Sequence, residues 1–254
     1  MLTEEFISTG IEKLDLLLEG GIPGGFTTLL LGTPGSSIEI LCKQLASSGN
    51  VLFVTTEESQ DDIVKNMDRF GWNTNHIEFL DIATTYAHSV LTGEQRRVNV
   101  SGQRSTINLR ELIELGSSTS PPTKRDSEDF LALLSNHIKV SSSEKILINS
   151  LDFFLDQYSP EDVFRTLHAA KLHNIDNKGI LFMVMTRGIH GDVFERKMEG
   201  LADCVLELQV MQKGSTYERF LAVKKMRNYA KKIGIARYVI DSNGFVLEMI
   251  ERIM

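Results

Sequence analysis

The sequence predicts an α/β fold, a mostly parallel central sheet covered by helices on both faces and extended at its C-terminal end by antiparallel strands. Three observations carry this. Short β-rich runs alternate with amphipathic helical patterns as far as Leu201. Most of the runs are predominantly apolar, as strands buried on both faces tend to be. After Leu201 the helices drop out and strand patterns follow one another directly.

The first strand candidate is Thr27-Thr28-Leu29-Leu30-Leu31. Ile38, Leu41, Cys42 and Leu45 then repeat at the i, i+3, i+4, i+7 spacing of a buried helix face. A second strand is expected at Val51-Leu52-Phe53-Val54. It is followed by a helix opened by Ser59 and Asp62, whose inner face would hold Ile63, Met67 and Phe70. Ile77 to Leu80 is the third strand. From about 84 to 127 the periodicity fails, and Gly116-Ser117-Ser118-Thr119-Ser120-Pro121-Pro122-Thr123 has linker composition, so a flexible loop is expected there. Order resumes with a helix from about Ser127 to Lys139 and a strand at Lys145-Ile146-Leu147-Ile148. Next come a helix capped by Ser159 with Pro160 in its first position and a strand from Gly179 to Met185. Four strands are expected beyond Cys204, the last two joined by a turn at Ser242-Asn243-Gly244.

The chain has 254 residues, 42% apolar and 24% charged, enough for a self-standing core and incompatible with disorder throughout. A net charge of −7 argues against broad electrostatic wrapping of nucleic acid. Cys42 and Cys204 lie far apart and neither belongs to a C-x-x-C pair, which excludes a disulfide framework and a zinc knuckle. An acidic start without a basic leader, and no apolar run of roughly 18 residues, point to a cytoplasmic protein without a membrane span. His168 and His173 fall on different helix faces, and no metal or nucleophile motif surrounds them.

The first strand runs into Gly32-Thr33-Pro34-Gly35-Ser36-Ser37-Ile38-Glu39 and a helix, the context a phosphate-cradling loop requires. Against G-x-x-x-x-G-K-[ST], Ser37 stands at the second glycine, Ile38 at the phosphate lysine and Glu39 at the magnesium-binding hydroxyl. Isoleucine brings no charge to a phosphate, and a carboxylate repels one. Ser36-x-x-Glu39 also spells a capping box, so the helix is expected to cap itself where phosphate would otherwise sit. An ordinary strand-turn-helix corner gives the same local sequence.

Longer strings narrow the choice. Ser8-Thr9-Gly10-Ile11-Glu12-Lys13-Leu14-Asp15 with Gly20-Gly21-Ile22-Pro23-Gly24-Gly25, then Thr55-Thr56-Glu57-Glu58-Ser59, then Asn66 to Trp72, resemble the KaiC-like branch of the RecA-type P-loop ATPases over nearly the whole length. The resemblance implies a RecA-like P-loop NTPase fold in a single domain spanning residues 1–254. It also implies that Glu57 and Glu58 match the family's water-activating glutamates. Asn149 takes the place of the Walker B aspartate, which disfavours magnesium a second time. Lys225 and Arg227 match residues that reach the γ-phosphate held by a neighbouring subunit, although Asn228-Tyr229-Ala230-Lys231 replaces the run that usually follows.

The expected function is therefore a degenerate KaiC-like pseudo-ATPase, a regulatory or structural subunit of an oligomer with itself or with an active KaiC-like ATPase. No cofactor is expected. A weak ATPase is the alternative; it would use ATP with magnesium, Glu57 or Glu58, and Lys43 as a substitute lysine, although Lys43 is also spaced to pair with Glu39. A DNA-binding recombinase paralogue is the second alternative, resting on Lys224, Lys225, Arg227, Lys231, Lys232 and Arg237, a segment without acidic residues.

Overall fold

A computed structural model describes residues 5–91, 128–229 and 234–248. In chain order the elements are β1 (Phe6–Ile7), α1 (Glu12–Leu17), β2 (Ile22–Pro23), β3 (Thr27–Gly32), α2 (Ile38–Leu45), β4 (Val51–Thr55), α3 (Gln60–Arg69) and β5 (Ile77–Asp81). Then come α4 (Phe130–Val140), β6 (Lys145–Asn149), α5 (Asp152–Gln157), α6 (Pro160–Asn177), β7 (Ile180–Thr186) and α7 (Asp192–Leu201). The chain closes with β8 (Cys204–Lys213), β9 (Thr216–Met226), β10 (Gly234–Asp241) and β11 (Gly244–Glu248).

Nine strands form one sheet in the order β11-β10-β9-β8-β3-β7-β6-β4-β5. The strands from β8 to β5 are parallel, and β8 to β11 form an antiparallel meander. Every residue of β3, β4 and β6 is buried, which explains their apolar centres, Leu29 to Leu31, Leu52 to Val54 and Ile146 to Ile148. Two cores result. One face packs Leu30, Phe53 and Phe182 against α1, α2 and α3, and the other packs Leu31, Val54 and Met183 against α4 to α7. Ser59 and Ser159 cap α3 and α6 through the amides of Asp62 and Asp162 as their sequences require.

One expected boundary is corrected. Residues 82–91 are helical, where a loop was expected from 84. Asp81 starts that helix by accepting from the Thr84 amide at 2.8 Å and the Thr84 hydroxyl at 2.7 Å. The remainder of the expected loop, 92–127, lies outside the described residues.

The meander does more than lengthen the sheet, because it wraps over α2. The Phe245 amide donates to Gln44 Oε1 at 2.7 Å, and Trp72, stacked on Phe70 at 4.5 Å, lies against Gly244. A Cβ at Gly244 would sit 2.3 Å from the indole, and its φ of +99° suits glycine alone. Tyr238, stacked on Phe245, donates its hydroxyl to the Ser36 carbonyl at 2.6 Å, and burial holds this phenol protonated far above its usual range. Tyr238→Phe removes one buried hydrogen bond and is expected to cost about 1 kcal/mol in urea unfolding, with the fold retained.

Candidate nucleotide site

The glycine loop sits at the carboxyl end of β3, in the centre of the sheet, where open α/β sheets bind ligands. Its local geometry departs from the expected self-capping. The residue before α2 is Ser37, in the left-handed region at φ 56°, and no side chain caps the helix. Ser36 is turned inward: its amide donates to Thr33 O, its carbonyl accepts from Tyr238, and its hydroxyl is buried without a partner. The capping box is therefore not made. Ile38, at the lysine position, folds back against Gly32, so that a Cβ on Gly32 would lie 2.9 Å from Ile38 Cδ1. The position of the side chain that would neutralise phosphate is instead held by a half-buried isoleucine packed against the core.

The register of β4 with β6 places Thr55 opposite Asn149. Beyond it the Ser150 amide donates to Thr56 Oγ1 at 2.7 Å, and the Thr56 amide to Asn149 O at 3.0 Å. These bonds bring Glu57 and Glu58 beside the buried Asn149, as their sequence positions imply, but the two glutamates differ. Glu58 is gripped by Lys43, whose ammonium lies 2.8 Å from both carboxylate oxygens, and it also accepts from Asn66 Nδ2 at 3.3 Å. The Lys43 side chain is 4% exposed. The expected Lys43–Glu39 pair is thus not formed, because Lys43 points inward to the end of β4. Held there, it has no freedom to stand in for a phosphate lysine.

Glu57 is exposed, and its carboxyl is held above the usual range, first by desolvation and then by Asp152. Asp152 itself is a residue that the motifs did not mark. It accepts from His190 Nε2 at 2.6 Å and from the Thr186 amide at 3.2 Å, joining the ends of β6 and β7. A carboxyl that keeps its proton to higher pH in the folded state than in the unfolded chain costs stability once it ionises. Glu57→Gln is therefore expected to raise the melting temperature at pH 7, with the gain shrinking as pH falls through the raised range of the folded state and gone below the ordinary carboxylate range.

Arg219 on β9 is the second missed residue; its Nε donates to Gly35 O at 3.2 Å, putting a cation at the rim of the loop. Lys225 and Arg227 do not join this site. Met226 pairs with Cys204 and Cys204 with Thr28, so both basic residues lie at the amino end of β3, roughly 13 Å of strand from the loop. There Lys225 donates to the carbonyls of Glu199 and Ala202 at the end of α7, at 2.7 and 2.6 Å, and Arg227 pairs with Asp203 at 3.0 Å. Neither can serve its own loop.

Described cations of the basic segment are paired with carboxylates from other parts of the fold. Lys224 bonds Glu199 and Glu207, both at 2.8 Å, and Arg237 lies against Glu218 and Glu248. Lys231 and Lys232 lie outside the described residues. Among the described residues no group of three or more His, Cys, Asp and Glu could hold a metal ion, and no helix is long and apolar enough to cross a membrane.

Comparison with known proteins places this architecture. The family profile described as the KaiC ATPase matches residues 7–252. The circadian clock oscillator protein KaiC of Thermostichus vulcanus is 25% identical over 250 residues, which cover 93% of this chain and 43% of that protein. The UPF0273 protein MK0039 of Methanopyrus kandleri is 39% identical over 79 residues, 29% of this chain and 31% of its own. This chain spans less than half the length of the KaiC oscillator proteins it matches. Among solved structures, a KaiC-like protein from Pyrococcus horikoshii superimposes with a TM-score of 0.69 at 18% identity, covering 97% of this chain and all of the other. The fold is RecA-like, and with its profile matched almost from end to end the chain belongs to the KaiC family of ATPases.

Proposed function

We propose that this protein is a KaiC-family subunit that keeps the nucleotide-binding scaffold without magnesium-nucleotide chemistry of its own, and that it acts by binding, as a regulatory or structural member of an oligomer with itself or with an active KaiC-like ATPase. One observation carries the reading: Ile38 is packed onto Gly32 where a lysine should face the phosphates. The rest of the donor set agrees. Ser36 Oγ is enclosed, Glu39 and Glu57 are carboxylates without a basic partner among the described residues, Asn149 supplies no charge, and the nearby Lys43 is spent on Glu58. Magnesium and triphosphate do not fit these residues.

Lys225 and Arg227, remote from their own loop and held in the single subunit by the carbonyls of Glu199 and Ala202 and by Asp203, would have to exchange these contacts to reach a neighbour's site. Isothermal titration with ATP, with and without magnesium, tests the reading on wild type beside the triple variant Ser37→Gly, Ile38→Lys, Glu39→Thr. Wild type should give no binding heat and the triple variant should bind. Micromolar binding by wild type would overturn it. The second reading, a weak ATPase, draws on Arg219 at the loop rim and exposed Glu57, and requires that Glu57→Gln abolish hydrolysis.

A further inference from the structure

Three consecutive strands of the meander each hold one residue of the glycine loop. From β8 the Leu208 carbonyl accepts from the Thr33 amide at 3.2 Å, from β9 Arg219 Nε donates to the Gly35 carbonyl at 3.2 Å, and from β10 the Tyr238 hydroxyl donates to the Ser36 carbonyl at 2.6 Å. Arg219 and Tyr238 stand opposite each other in the β9–β10 register, so both bonds come from one face of the sheet. Held this way, the loop has little left to offer. Thr33 and Ser36 have spent their amides, Ser36 on the Thr33 carbonyl, and Pro34 has none, whereas a phosphate-cradling loop turns its amides to the ligand. The shape also carries two local penalties. Ser37 is left-handed at φ 56°, which a β-carbon disfavours, and Ser36 Oγ, in a residue 1% exposed, is buried without a partner among the described residues. Nothing within the loop offsets these penalties, whereas the bonds from the meander do. Once those bonds are cut, a second, open arrangement comes within reach.

We infer that the meander is an autoinhibitory strap on the glycine loop: Arg219 and Tyr238 hold the loop closed with Ser36 turned inward, so that it resists phosphate by conformation as well as by composition. A partner that displaced β9 or β10 would thereby loosen the loop. The strap deepens the reading of the site given above, and the nucleotide half of its test rests on that reading; the exchange half does not.

The first half measures amide hydrogen exchange of residues 35–38 in the full chain. Tyr238→Phe keeps the ring stacked on Phe245, and Arg219→Met keeps a long stem without the donor. Each should speed exchange in the loop roughly fivefold, the shift that one lost hydrogen bond makes in a local opening. Ile138→Val, a core deletion on the opposite face of the sheet, weakens the whole fold by a comparable amount and should leave the loop unchanged. Loop exchange that neither strap variant moves, or that Ile138→Val moves as much, overturns the inference. The second half titrates ATP into the triple variant Ser37→Gly, Ile38→Lys, Glu39→Thr with and without Tyr238→Phe. Cutting the strap should tighten binding roughly fivefold, because apparent affinity scales with the open fraction. Equal affinities also overturn the strap. Binding by wild type, or by none of the three proteins, counts against the nucleotide reading alone and leaves the strap to be decided by the exchange result.

Discussion

Glu58→Ala is expected to lower stability by about 3 kcal/mol, the low end for breaking a buried ion pair, because it leaves the Lys43 ammonium enclosed without a counter-charge. Lys43 is 4% exposed while Glu58 is 29% exposed, so the two single variants should not be equivalent. In Lys43→Met the glutamate can turn to water and the loss should be smaller. The double variant Lys43→Met, Glu58→Ala should lose less than the sum of the two, since neither charge is then stranded. Urea unfolding of the four proteins measures all of this. Equal losses for both singles with full additivity would show that the pair contributes nothing. The outcome governs how any glutamate scan is interpreted: a defect from changing Glu58 reports on folding, and only Glu57 is free to report on chemistry.

Asp203→Ala should cost more, about 4 kcal/mol, and should be the most damaging single change outside the apolar core. Its carboxylate accepts from Lys171 at 2.7 Å, from Arg227 at 3.0 Å and from the Thr27 amide at 3.1 Å, tying α6, β9 and the start of β3 to the entry of β8. The Lys171 side chain, 12% exposed, would lose its only carboxylate partner among the described residues. Asp203→Asn, which keeps the shape and can accept one bond, should recover part of the loss. If the alanine variant unfolds within 1 kcal/mol of wild type, the cluster is surface electrostatics of the weak, screened kind. Because Arg227 is held by Asp203, this variant would also free the residue proposed above to act on a neighbouring subunit.

The fold was legible because its signals are local. Leu29 to Leu31, Phe53 and Val54, and Ile146 to Ile148 are apolar runs of strand length, and Ser59 and Ser159 cap helices with atoms three residues away. Helix 82–91 was missed because Thr84 and Thr85, β-branched and poor helix formers, act there with Asp81 to cap rather than to break. In the site, the departures at Ser37, Ile38, Glu39 and Asn149 could be read by alignment to a spacing. The partners could not. Lys43 has Glu39 one turn away on the same helix, and nothing in a helical period reveals that the end of β4 offers a better partner 15 residues along the chain. Asp152 with His190 and Arg219 with Gly35 are likewise products of the strand order, 38 and 184 residues apart. The capping box failed for a related reason, since Ser36 is committed to Tyr238, 202 positions later.

That last contact has a temporal side. The outer surface of α2 and the carbonyl of Ser36 are finished by Tyr238 and Phe245, whose bonds span 202 and 201 residues. At about 5–20 residues per second, a ribosome needs on the order of 10–40 s to travel that interval. Throughout it, the first βαβ unit exists as a nascent chain whose α2 has its inner face on β3 and β4 but its outer surface not yet covered by these strands. The final strands therefore act as a closure step of biosynthesis, and a message truncated shortly before Tyr238 would yield a product with that side still open to chaperones and to aggregation.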